Sequence, residues 1–136
     1  MGVLIGIDLT EVRRVASLLD RRGERFLARV FLPGEIRRNA RPARAFAEHV
    51  AGRFAAKEAA MKALGTGWRG VSFREISVER ESSGRPRLRL HGRALARARA
   101  LRVVAAELSI THTATMAAAA VVLVTEDGGG TAGSFG

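Results

Sequence analysis

Two lysines stand apart in a chain that otherwise carries its positive charge on 21 arginines. Lys57 and Lys62 both fall in the run Arg53-Phe-Ala-Ala-Lys-Glu-Ala-Ala-Met-Lys-Ala-Leu-Gly-Thr-Gly67, with Glu58 between them. A helix here places Glu58 one turn before Lys62, carboxylate beside ammonium. Followed by a Gly-Thr-Gly turn, that pair could hold a metal and a phosphate. It could equally be the favourable Glu-to-Lys helical ion pair, worth a few tenths of a kcal/mol. At about 100° per residue, Glu58 lies at the border of an apolar stripe of Phe54, Met61 and Leu64. Lys57 falls near that stripe, where it would snorkel or support the site electrostatically. A second carboxylate, Asp8, follows Gly6-Ile7 at the end of an apolar run. It reads either as a helix cap or as a hard oxygen ligand for Mg²⁺, which takes one or two carboxylates plus substrate phosphates and waters. Ser109, Thr111, His112 and Thr113 gather hydroxyls and an imidazole within five residues. No nucleophile-elbow serine, Walker loop or dinucleotide glycine motif accompanies them.

The elements that must position these groups follow from periodicity. Val3–Leu9 reads as a short buried strand that carries Asp8 at its end, with Thr10 as cap of the next helix. Val12, Val15, Leu18 and Leu19 are the apolar face of that helix. A second short helix is expected over Arg25–Val30, and one further turn over Glu35–Arg38. Ala43–Leu64 is a long alanine-rich helix stopped at Gly65. After a loop at Trp68–Gly70, Ile76–Arg80 and Arg87–His91 alternate as two strands joined by a turn at Ser82–Pro86. Gly92–Leu101 is an amphipathic helix. Glu107–Thr113 and Met116–Val124 complete the set as strands, with Ser109, Thr111 and Thr113 on one face and Ile110 and His112 on the other. Strands and helices interleave with an antiparallel ending, so the fold class is α+β, with one long helix packed on an antiparallel sheet. Residues 1–126 form the single domain, and the glycine-rich 127–136 a flexible tail.

Composition sets the outer limits. With 136 residues and 47% apolar content, one domain with a real core is expected. The absence of cysteine removes disulfides, zinc-thiolate sites and thiol catalysis. No apolar run is long enough to span a membrane, and the chain reads as cytoplasmic. The net charge of +10 is concentrated between Arg13 and Arg44, which favours an acidic or phosphorylated partner. With one Trp and no Tyr, stacking on nucleic acid is disfavoured.

Taken together, four segments resemble the holo-[acyl-carrier-protein] synthase family, the small phosphopantetheinyl transferases. They are Ile5-Gly-Ile-Asp-Leu-Thr-Glu-Val12, Gly52-Arg-Phe-Ala-Ala-Lys-Glu-Ala59 with Lys62 and Gly65-Thr66-Gly67, Gly84-Arg-Pro86, and Ser109-Ile-Thr-His-Thr113. The resemblance implies transfer of 4′-phosphopantetheine from coenzyme A to a serine of an apo-acyl carrier protein, releasing adenosine 3′,5′-bisphosphate. It implies Mg²⁺ on Asp8 and Glu58, with Lys62 on phosphate. Arg53, Gly65, Thr66, Pro86, Ser109, His112 and Thr113 match the region that holds the nucleotide end of coenzyme A. The attacking serine belongs to the carrier, and Glu35 and Glu58 are candidate acceptors of its proton. A homotrimer with sites between subunits is implied, with Met116–Val122 suited to close packing there. The face of Arg14, Leu18, Arg21, Arg22, Arg25 and Phe26 matches the docking helix for an acidic carrier protein of fatty-acid or polyketide type.

One position departs from the pattern: Glu107 stands where the family commonly has histidine, and an extra residue falls near Asp20–Gly23. Added negative charge near bound phosphates leaves an alternative open, a divergent member that binds carrier or nucleotide without transfer. A basic nucleic-acid-binding module is the other alternative, resting on the Arg13–Arg44 cluster.

Overall fold

The computed structural model describes residues 1–126; the expected tail, 127–136, lies outside the described residues. The long helix α2 (Ala43–Leu64) organises everything else. Fourteen of its 22 residues are buried, half of them alanine, so neighbouring elements approach on nearly every side. This differs from the single apolar stripe expected above: Met61 and Leu64 are core, but burial runs around the helix. Gly65 ends it in the left-handed region at φ 73°, where glycine carries no Cβ penalty.

One face of α2 lies on a three-stranded antiparallel sheet ordered β1 (Gly2–Glu11), β5 (Met116–Thr125), β4 (Val103–His112). The register puts Gly6, Val121 and Leu108 in one row, Asp8, Ala119 and Ile110 in the next, and Thr10, Ala117 and His112 in a third. These rows face α2. Gly6 is the closest approach: a Cβ there would lie 2.8 Å from the Ala63 nitrogen and nearer still to the Ala59 carbonyl oxygen. The alternate residues of β1 point the other way, and Val3, Ile5, Ile7 and Leu9 are all more than half exposed.

Other elements cover the remaining sides of α2. Helix α1 (Val12–Val30) buries Val12 and Val15, and the first N–H of the helix donates to the Thr115 carbonyl at 2.9 Å. That bond does the work expected of Thr10, which lies inside β1 instead. The two helices expected on either side of Gly23 are joined there by a kink, with φ 23° and ψ −101°. Glu35–Arg38 forms no helical turn; Glu35 N–H closes a tight turn on Leu32 O at 3.0 Å. Trp68 is not in a loop but in a one-turn helix, α3 (Gly67–Gly70). A 3-10 turn (Phe73–Glu75) leads to the hairpin β2 (Ile76–Arg80) and β3 (Pro86–Leu90), then α4 (Gly92–Ala100). Phe54 of α2 stacks on Phe73 with centroids 5.2 Å apart and meets Phe26 of α1 at 6.1 Å.

Lys57 does not snorkel. Its side chain is fully buried, and Nζ donates to Glu35 Oε1 at 3.0 Å, Phe73 O at 3.0 Å and Ile76 O at 2.6 Å. Glu35 in turn accepts from Leu32 N–H and Val78 N–H, each at 2.9 Å. Burial pulls the Lys57 ammonium down to about 8, against the opposing pull of Glu35. Among the described residues, no helix is long and apolar enough to cross a membrane.

Candidate active site

Asp8, Glu58 and Lys62 come together where β1 crosses α2. Strand pleating turns Asp8 toward the helix, and the helical spacing of Glu58 and Lys62 places both on the side that faces it. Lys62 Nζ donates to Asp8 Oδ1 and to Ile7 O, both at 3.0 Å. The Thr10 hydroxyl donates to Asp8 Oδ2 at 3.3 Å, so both oxygens of a buried carboxylate are held. The Glu58-to-Lys62 helical ion pair is not formed among the described residues; Lys62 reaches across to the strand instead. Burial raises the Glu58 carboxyl, and the Asp8 charge raises it further, while Lys62 and Arg14 pull it down. Two carboxylates thus share a partly dry position where one resists ionising beside the other.

This pair fits a magnesium ion by its chemistry. It offers hard oxygens, and the mutual repulsion is what a divalent cation would relieve. No cluster of three or more His, Cys, Asp or Glu suited to a metal occurs among the described residues. Two protein carboxylates are what Mg²⁺ typically uses when phosphates and waters complete its shell.

Glu35, the other candidate acceptor of the serine proton, has both of its oxygens taken up in the buried Lys57 network. The remaining expected site residues form a separate group. Arg53, Pro86 and His112 line one cavity of about 380 Å³, together with Arg41, His49, Arg80 and others. Asp8 belongs to β1 and His112 to β4, the two outer strands, so about 10 Å of sheet separates their chains. Ser109 is exposed on the sheet face turned away from α2. Thr113 Oγ1 accepts from Thr115 N–H at 3.2 Å and Met116 N–H at 3.0 Å, fixing the turn between β4 and β5. Gly65 and Thr66 end α2, where Thr66 Oγ1 is buried without a partner among the described residues. A single chain therefore assembles Asp8, Glu58 and Lys62 but not the whole set.

Sequence reasoning missed Thr10 as the group steadying Asp8, and His49, Arg41 and Arg80 as neighbours of Arg53. His49 precedes Arg53 by one helical turn, which spacing could have revealed. Arg41 and Arg80 arrive from a loop and a strand, which spacing could not.

On α1, Arg14, Arg21, Arg22 and Arg25 are exposed, and Leu18 and Phe26 are half-buried. Arg14 lies close enough to Glu58 to act on its charge. The basic face therefore begins at the carboxylate pair. Glu107 is paired with Arg85 at 2.8 Å, so the charge that departs from the family pattern is locally offset.

Comparison with known proteins bears on this arrangement. The profile described as the 4′-phosphopantetheinyl transferase superfamily matches residues 4–119. A holo-[acyl-carrier-protein] synthase of Solibacter usitatus is 48% identical over 124 residues, covering 90% of this chain and 98% of that protein. The crystal structure of a Bacillus anthracis holo-(acyl-carrier-protein) synthase in complex with CoA (3′,5′-ADP) superposes with a TM-score of 0.72 at 36% identity, covering 90% of this chain and 96% of that one. The Chronobacterium ammoniagenes ACPS–CoA complex superposes with a TM-score of 0.79 at 34% identity, covering 93% and 100%. Motif order, fold and overall identity agree, and this chain belongs to the holo-[acyl-carrier-protein] synthase family of the 4′-phosphopantetheinyl transferase superfamily.

Proposed function

We propose that the protein transfers 4′-phosphopantetheine from coenzyme A to a serine of an apo-acyl carrier protein, releasing adenosine 3′,5′-bisphosphate. The convergence of Asp8, Glu58 and Lys62, in a chain whose relatives are named for this reaction, carries the reading. The carrier's serine oxygen bonds to the phosphorus that bears pantetheine, and the anhydride P–O bond to the nucleotide phosphate breaks. Bound at Asp8 and Glu58, Mg²⁺ would offset the charge on the diphosphate. Glu58 borders the same position and is the candidate acceptor of the serine proton, directly or through water. Lys62 is half-exposed on a long stem and can turn its ammonium to the leaving oxygen. Thr10 keeps Asp8 oriented while Lys62 moves.

The exposed arginines of α1 suit an acidic carrier helix laid beside the carboxylate pair, of fatty-acid or polyketide type. The apolar outer face of β1, continuous through Ala118, Ala120 and Val122 of β5, suits burial against further copies of the chain. We infer a homotrimer, in which the coenzyme A groups on β4 of one subunit meet Asp8 and Glu58 of a neighbour. A cytoplasmic location fits such a partner and co-substrate. The Arg85–Glu107 pair weakens the non-catalytic alternative, since Glu107 brings no uncompensated charge.

The deciding experiment incubates the protein with coenzyme A, Mg²⁺ and apo-carrier proteins of both types, read by intact mass. A gain of one phosphopantetheine is the expected outcome. Carriers of both types that stay unmodified would overturn the reading.

A further inference from the structure

The ion pair that Lys62 makes with the strand sets the terms on which Asp8 can accept another cation. Lys62 Nζ donates to two oxygens of β1, Asp8 Oδ1 and Ile7 O, each at 3.0 Å. The Asp8 side chain is 10% exposed and that of Lys62 57%, so a fixed carboxylate holds an ammonium on an open stem. Thr10 holds the second carboxylate oxygen at 3.3 Å. Lys62 is thus bound as a metal ion would be, by a carboxylate and a backbone carbonyl, both hard oxygens.

Glu58 stands outside this arrangement. It lies one turn before Lys62 yet has no ion pair among the described residues. Burial acts first on its carboxyl, and the charges of Asp8 and Lys62 then oppose each other there. Lys57 is the contrast: fully buried and fixed by Glu35, Phe73 O and Ile76 O, it has nowhere to turn.

A divalent ion shared by Asp8 and Glu58 meets an ammonium bound to the same Asp8 carboxylate. In a partly dry position, repulsion between the two cations outweighs what the ammonium gains by staying. They exclude each other. Lys62 carries a point charge on a flexible four-carbon stem, so its departure costs two hydrogen bonds and no backbone rearrangement. The ammonium then needs another anion within reach of the stem, and a diphosphate on the metal supplies one.

We propose that Lys62 is the resting counter-cation of Asp8, that a divalent ion reaches Asp8 only by displacing it, and that metal and diphosphate consequently bind as a pair. The metal alone strips Lys62 of its partner. The diphosphate alone faces two carboxylates. Together, the metal takes the carboxylates, Lys62 takes the phosphate, and each charge is matched. The coupling is reciprocal: the diphosphate tightens the metal by the same factor as the metal tightens the diphosphate. Only the naming of coenzyme A as the diphosphate rests on the transferase reading.

The chain has two lysines, so full-length protein labelled with ¹⁵N at lysine gives two ammonium signals, with buried Lys57 as internal control. Saturating Mg²⁺ should speed exchange of the Lys62 ammonium protons with water by roughly tenfold, as the fraction of time spent on Asp8 falls. Coenzyme A added to the Mg²⁺ sample should slow it again, and Lys57 should not respond. Affinities come from Mn²⁺ binding, read from the EPR signal of the free ion. Coenzyme A should tighten Mn²⁺ about tenfold in the wild type. Lys62→Met should bind Mn²⁺ alone about tenfold tighter, as expected if Lys62 covers Asp8 roughly nine-tenths of the time, and coenzyme A should then add little. A Lys62 signal unmoved by saturating Mg²⁺, or wild-type Mn²⁺ affinity in Lys62→Met, overturns the proposal. Carrier modification with Lys62 still on Asp8 under saturating Mg²⁺ would sink this exchange and leave the transferase standing. Displacement of Lys62 with no carrier modified would do the opposite.

Discussion

At the residue scale, the site holds Glu58 in a partly dry position beside the Asp8 carboxylate. Glu58 illustrates its cost. Its folded-state carboxyl is raised, so folding is favoured below the ordinary value of 4.5 and loses that support as pH rises through the raised value. Glu58→Gln should therefore abolish transfer yet raise the metal-free Tm at pH 7, with the gain shrinking toward pH 4. A thermal melt at the two pH values checks this, and an unchanged Tm at pH 7 would contradict the burial argument. Asp8→Ala and Lys62→Ala should each lower kcat by about 10²-fold or more, in line with loss of a group that stabilises developing charge. The residue types and spacings of these three were legible in the chain. Their partners were not: the local Glu-to-Lys rule favours Glu58 for Lys62, and only the strand crossing shows that Asp8 wins. The engagement of Glu35 was hidden for the same reason, since nothing in the sequence places Val78 N–H and Lys57 on either side of it.

At the element scale, the boundaries of α2 and the hairpin were readable from caps and alternation, because those signals are local. The ends of β1 and β4 were underestimated, because their outer residues are strand-like only through pairing with β5. The buried Lys57–Glu35 pair joins α2 to the turn at Leu32–Glu35 and to β2. Lys57→Ala should destabilise the fold by about 3–5 kcal/mol, since it strands a buried carboxylate. Replacing both partners by apolar residues should not restore full stability, because Leu32 and Val78 N–H would lose their acceptor. Denaturant titration of both variants distinguishes the cases. On α1, the kink at Gly23 sets the direction in which Arg25 and Phe26 leave the face formed by Arg14 and Arg21. Arg21→Glu with Arg25→Glu should raise KM for the carrier by roughly tenfold and leave kcat nearly unchanged, as surface charges worth up to about 1 kcal/mol each would. A matched fall in kcat would argue for damage to the site instead.

At the scale of the whole molecule, a single chain leaves Asp8 and His112 on different strands, the two outer ones of the sheet. If neighbouring subunits complete each site, two inactive variants should rescue each other. Asp8→Ala and His112→Ala, refolded together in equal amounts, should recover about a quarter of the wild-type activity by random assembly. No recovery, with mixed oligomers present by mass, would place the whole site within one chain. Ile7→Arg on the outer face of β1 should shift the protein toward monomer in light scattering and lower activity with it. The sequence held the apolar residues of this face but not their exposure. Alternation of Val3, Ile5, Ile7 and Leu9 with Leu4, Gly6, Asp8 and Thr10 looks like a fully buried strand until the structure shows that only the second set meets the helix.

The contact of Gly6 with the backbone of α2 has a consequence for how this protein tolerates sequence drift. Where strand and helix touch through main-chain atoms, their spacing does not depend on the volume of any side chain. Substitutions elsewhere in the interior can loosen the molecule without spreading Asp8 from Glu58. A library of such substitutions should scatter widely in Tm while activity per folded molecule stays nearly constant. Gly6→Ala should stand outside that trend, losing activity out of proportion to stability among whatever molecules still fold.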